Sequence, residues 1–180
     1  MKKGVILVAI IVIAVLIYLA LPKYAPYEKL NSLEKKYGLT DSLMPESAEQ
    51  IMMLKAELRA LQKSLEDEEG KQAEAVRVLV EIRLDLAGAT ENFFRASKYL
   101  GAISPFSDNC KPGKPVYEAK RLMEEALTKS KTASDRMKLF LTKYSAEAGG
   151  FGVNNNYAKE YADFLEESLL RDKHSLDAFC

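Results

Sequence analysis

Two cysteines, Cys110 and Cys180, and a single histidine, His174, are the residues best equipped for covalent or metal chemistry. A catalytic thiol needs a basic partner that holds it as thiolate. His174 follows Asp172 and Lys173 near the end of the chain and reads as a solvated surface residue. The cysteines therefore read as a disulfide pair rather than as nucleophiles. A di-metal carboxylate centre in a helical bundle wants Glu-x-x-His pairs on facing helices, and the chain has none. Nucleophile elbows, phosphate-binding Walker loops, Cys-x-x-Cys pairs and metalloprotease helices are absent too.

Four weaker clusters have bland readings. Gly149-Gly150-Phe151-Gly152 would cradle phosphate only between a strand and a helix N-terminus. No strand precedes it, so it reads as an interhelical turn. The acids Glu66, Asp67, Glu68 and Glu69 would have to converge to hold calcium, and a helix spreads them around its axis. Lys111, Lys114, Lys120 and Arg121 read as a solvated loop and helix start. Phe140, Tyr144, Tyr157 and Tyr161 could line a pocket, but their helical spacing reads as core. No catalytic, cofactor-binding or metal residue is assigned, and the chain is not expected to be an enzyme.

Composition agrees. Lys plus Arg and Asp plus Glu number 26 each, so no net positive field favours nucleic acid as a partner. Abundant Ala, Leu, Glu and Lys favour helix, and strand-type alternation is hard to find.

The elements that position these residues follow from a heptad seam. Ile51, Leu54, Leu58, Leu61 and Leu65 recur by alternating threes and fours. The seam is interrupted at Glu68 and Gln72 and resumes through Ala75, Leu79, Ile82, Leu86, Ala89, Phe93, Ala96 and Leu100. Its phase is kept across Gly70, and a lone Gly costs a helix only about 1 kcal/mol. The pattern predicts one unbroken helix over 47–102, with a hairpin at Gly70 as the alternative. Ser47 and Gln50 have capping-box spacing at its start. Pro105, Pro112, Gly113 and Pro115 break the chain, and a second helix is expected over 116–147 with Ala119, Leu122, Ala126, Ala133, Met137, Phe140 and Tyr144 inward. A third begins near Asn156 and carries Tyr157, Tyr161, Leu165, Leu169 and Leu176 on one side.

From Gln72 onward this predicts an antiparallel three-helix bundle. The third helix then ends beside the loop that holds Cys110, which is where Cys180 lies. A bridge between them would close about seventy residues and contribute roughly 4 kcal/mol in the chain-entropy model. Residues 47–70 are left without a partner, so Ile51, Leu54, Leu58, Leu61 and Leu65 form a candidate self-association seam.

At the N-terminus, Lys2 and Lys3 precede an uncharged apolar run over 4–21. At about 1.5 Å per residue it spans roughly 27 Å, close to a hydrocarbon core of about 30 Å. It exceeds the usual apolar core of a cleaved signal peptide, and Tyr18-Leu19-Ala20 is a poor cleavage site. The run reads as an uncleaved signal anchor over 1–22, with the short tail inside and the domain outside. Pro22 and Pro26 end or kink that helix. A juxtamembrane segment over 23–45 follows, with a short helix that places Leu30, Leu33 and Tyr37 on one face and stops at Gly38. Residues 46–180 form the helical domain.

Lys3-Gly4 before an apolar helix resembles the processing site of a type IV pilin precursor, which implies a filament subunit; Ala9 stands where those proteins carry Glu. The opening also resembles that of LemA-type membrane proteins, but the residues after Leu21 do not continue that pattern, and no family is assigned. The fold expected is all-α: a transmembrane helix, a long heptad-patterned helix and a three-helix bundle. The function expected is that of a non-enzymatic extracytoplasmic scaffold, adaptor or assembly subunit at the cell membrane, working through a protein partner or a second copy of itself. A sensory or ligand-binding module and a pilin-like subunit are the alternatives.

Overall fold

The computed structural model describes residues 24–38, 47–101, 110–151, 153, 160, 163–164, 166–172 and 174. These are all-helical, with no strand among the described residues. The helices are α1 (Ala25–Lys36), α2 (Ala48–Ser64), α3 (Lys71–Leu100), α4 (Pro115–Lys143) and the short α5 (Ser145–Phe151). Residues 166–172 are helical as well. The apolar run over 4–21, expected to span a membrane, lies outside the described residues. Among the described residues no helix is long and apolar enough to cross one.

The unbroken helix over 47–102 is corrected to a hairpin. α2 ends at Ser64, Leu65 caps it, and α3 starts after Gly70. Two local causes oppose a continuous helix. Gly70 sits at φ 104°, ψ 163°, a backbone conformation that side-chain-bearing residues avoid. Four consecutive acids, 66–69, would oppose the dipole at the C-terminus of α2 but complement it just ahead of α3. The preserved heptad phase could not separate the two folds, because both need the same stripes turned inward. Gly70→Ala makes the distinction experimentally. In a helix interior it would stabilise by about 1 kcal/mol. At this turn the expected result is a loss of roughly 1–3 kcal/mol in denaturant unfolding.

The hairpin gives α2 its partner. Lys55 on α2 pairs with Glu91 on α3, and Arg77 on α3 donates to the Leu65 carbonyl at 3.3 Å, so the two run antiparallel. Ile51, Leu54, Leu58, Leu61 and Leu65, the stripe left without a partner by the sequence, are all buried in the core of a single chain. α1 joins the same core through Leu30, Leu33 and Tyr37 instead of standing apart as a spacer. The bundle expected from Gln72 onward thus includes α1 and α2.

α3 is the central helix. Fourteen of its thirty residues are buried, and they cover more than one stripe: Leu79, Ile82 and Leu86 on one side, Val76, Val80 and Ala87 on another. A helix apolar on several sides belongs in the middle of a bundle. Two polar residues buried on it are satisfied locally: Thr90 donates to the Leu86 carbonyl at 2.9 Å and Asn92 to Glu125 at 3.1 Å.

α4 returns antiparallel to α3. Lys143 meets Glu74 at 2.9 Å near one end, Arg136 meets Asp85 at 2.8 Å, and Asn92 meets Glu125 towards the other. Its buried stripe is large at both ends (Val116, Leu122 and Met123; Met137 and Phe140) and small between them (Ala126, Ser130, Ala133). Gly88 leaves room for the Lys129 side chain, whose atoms would lie 3.3 Å from any Cβ there. The helix expected over 116–147 instead breaks at Tyr144 (φ −118°, ψ 37°), and Gly149 and Gly150 belong to α5 rather than to a turn. Tyr144 is buried against Phe140, with ring centroids 5.5 Å apart, and the backbone bonds from Tyr144 N–H to Phe140 and from Ala148 N–H to Tyr144 are kept across the kink. Of the expected third helix, Leu169 and Ser168 are buried, and Glu166 meets Lys131 of α4 at 3.3 Å.

Candidate functional site

α1, the helix that follows the apolar run, is tied to the rest of the bundle at several points. Its N-cap residue Tyr24 donates its hydroxyl to Glu68 in the Gly70 turn. Near its C-terminus, Glu57 of α2 accepts from Tyr37 at 2.6 Å and from Lys36 at 2.5 Å. Between these ends Glu34 accepts from the Arg83 guanidinium of α3 at 2.5 Å, and both side chains are largely buried. Tyr27 stacks on Phe151 of α5, with centroids 4.3 Å apart and planes 11° from parallel. α1 therefore runs antiparallel to α2 and parallel to α3, and it meets α5 at the end that carries the Gly70 turn.

The electrostatics follow the contacts. Burial, reinforced by the hydrogen bond to Glu68, pushes the Tyr24 phenol up to about 12. The Lys36 ammonium, followed by the Tyr37 hydroxyl, holds Glu57 below the usual carboxylate range. Burial raises the Tyr27 phenol, with Glu34 adding to it. A phenol raised in the fold favours the folded state below its unfolded value near 10, and that contribution is lost as pH rises through about 12. Ultraviolet titration of phenolate should show a Tyr24 contribution near 12, and Tyr24→Phe should remove one tyrosine's amplitude from that region. Undiminished amplitude there in the variant would mean that Tyr24 is not tied to Glu68.

At the far end of the bundle, Gly113 N–H donates to Glu118 at 3.2 Å, closing the approach to α4. Cys110 in this loop is disulfide-bonded. Cys180, the chain's other cysteine, lies outside the described residues, as do Tyr157 and Tyr161. Phe140 and Tyr144 are core residues. His174 is exposed. Arg121 of the basic cluster is bound by Glu118 at 3.0 Å and by Glu125 at 2.5 Å on its own helix. Lys111 and Lys114 are exposed in the loop. Among the described residues no three of His, Cys, Asp and Glu converge as metal ligands.

Sequence reasoning missed Arg83, Glu34, Glu68 and Tyr24 as a set. Arg83 carried one signal, a cation flanked by Ile82 and Leu84 within an apolar stretch. Its partner could not be read, because Glu34 lies in another helix. Glu68 was visible only as a gap in the seam and as one of four consecutive acids.

Compared with protein-family models, with curated proteins and with solved structures, the chain matches none.

Proposed function

We propose that the chain is a single-pass membrane protein whose helical bundle is held outside the membrane and works, without catalysis, as a scaffold, adaptor or assembly subunit. The observation that carries this reading is the docking of α1. The apolar run ends at Leu21, and only Pro22 and Lys23 separate it from Tyr24, which is bonded to Glu68. A membrane helix ending at that point would be joined to the bundle without a flexible tether. The disulfide at Cys110 supports an oxidising compartment, hence the outer side, and Cys180 is the partner proposed for it.

The burial of Ile51, Leu54, Leu58, Leu61 and Leu65 leaves partner contacts to other surfaces, such as the outer face of α2, where Met52 and Met53 are exposed. The test is a membrane-impermeant maleimide applied to intact cells with and without prior reduction. Labelling only after reduction supports the reading. Labelling only after lysis, with no reductant needed, would place the domain inside and end it. Intact mass of the membrane-extracted chain separates an uncleaved anchor from a pilin-like chain cut after Gly4.

A further inference from the structure

We infer that the end of the bundle formed by the Gly70 turn, the start of α1 and α5 rests on the lipid headgroups, so that the bundle stands end-on upon the bilayer. This rests on the membrane-anchored reading above, and it is a statement about distance. Only Pro22 and Lys23 separate Leu21, the last of the apolar run, from Tyr24, and fully extended the three steps from Leu21 to Tyr24 reach about 10 Å. The headgroup layer beyond the hydrocarbon core is about 5–8 Å deep on each side. Tyr24 is therefore confined to the headgroup layer or its outer edge.

Tyr24 does not arrive alone. Its hydroxyl is bonded to Glu68, so the Gly70 turn is brought to the same depth. One turn further along α1, Tyr27 is stacked on Phe151, which brings α5 with it. The aromatic chemistry of this end suits the interface, and the acids 66–69 beside it limit the fit to zwitterionic rather than anionic headgroups. Tyr24, Tyr27 and Phe151 are partly buried aromatics, two of them with a polar tip, the type enriched where lipid meets water. Gly149 and Gly150 of α5 are exposed, with nothing packed where a side chain would project. α1 and α3 start at this end and α2 finishes at it, so the Cys110 loop beyond the end of α3 lies on the far side.

The test uses the full chain in phosphatidylcholine vesicles containing a lipid with a nitroxide on its headgroup. Single cysteines at exposed positions (Asp67→Cys in the Gly70 turn, Gly149→Cys in α5 and Met53→Cys near the start of α2) carry a fluorophore attached under non-reducing conditions. Met53 lies about 18 Å along α2 from the turn. The expected result is loss of most fluorescence at 67 and 149, with the signal at 53 retained. Equal quenching at all three positions would mean that the bundle lies on its side, and the proposal fails. Retention at all three, in chain that still sediments with the vesicles, would mean that the bundle stands clear of the surface, and the proposal fails again. Chain that does not sediment with vesicles overturns the anchored reading itself, and the end-on arrangement with it.

Discussion

Leu58→Ala should cost the folded chain about 2–5 kcal/mol, the range for truncating a fully buried leucine. Leu58 has no exposed surface and sits in the core shared by α1, α2 and α3. The loss combines the transfer energy of the removed methyl groups with a cavity that neighbouring helices fill only in part. Its second signature is more telling. Because the burial lies within one chain, the unfolding midpoint should not depend on protein concentration. A seam that paired two chains would give a midpoint rising with concentration, through mass action. Urea unfolding in mild detergent, at two concentrations a hundredfold apart, reads both quantities. Met52→Ala on the exposed side of the same helix is the control and should change stability by less than about 0.5 kcal/mol. A midpoint that moves with concentration in the parent chain would return Ile51, Leu54, Leu58, Leu61 and Leu65 to an interface between copies.

The second large effect belongs to the tie between α1 and α3. Arg83→Ala should destabilise by about 3 kcal/mol, because it strands the Glu34 carboxylate in a site with little access to water. Most of that loss is desolvation of the remaining charge rather than the worth of the pair. Replacing both partners, Arg83→Met with Glu34→Leu, should therefore restore most of the stability. The damage should also be local. Amide exchange in α1 should accelerate in Arg83→Ala well beyond that in α4, because α1 is the helix the guanidinium holds. Uniform acceleration through the bundle would show that α1 and the rest unfold as one unit.

What could be read beforehand divides by the range of the interactions involved. The face of α1 carrying Leu30, Leu33 and Tyr37, the Ser47 cap accepting from Gln50, and the start of α4 at Pro115 are all set by neighbours a few residues away. Periodicity and capping chemistry are enough for these. The hairpin at Gly70 could not be read from the apolar phase, because an unbroken helix and a folded-back pair share it. Gly70 and the acids at 66–69 favour a break locally, and the burial gained when α2 meets α3, a contact that residue spacing does not encode, adds to them. The break at Tyr144 was not legible either, because Tyr144 lies four residues after Phe140 on the same inward stripe and that spacing fits a straight helix as well as a kinked one. The candidate site was the least legible part. Tyr24 with Glu68 and Glu34 with Arg83 are each more than forty residues apart, and one charge on a helix does not name its counterpart.

The central position of α3 has a consequence for how the chain is made. α1 and α2 are synthesised first, yet the core that takes in Leu30, Leu33, Ile51 and Leu58 is completed by a helix still to come. At 5–20 residues per second, residues 65–100 take about 2–7 s to follow α2. Throughout that interval two leucine-rich stripes are exposed beside whatever holds the N-terminus. The nascent chain is thus at its most adhesive before its middle has been translated, and a holding factor acting on the first sixty-five residues would protect it better than one acting on the finished bundle.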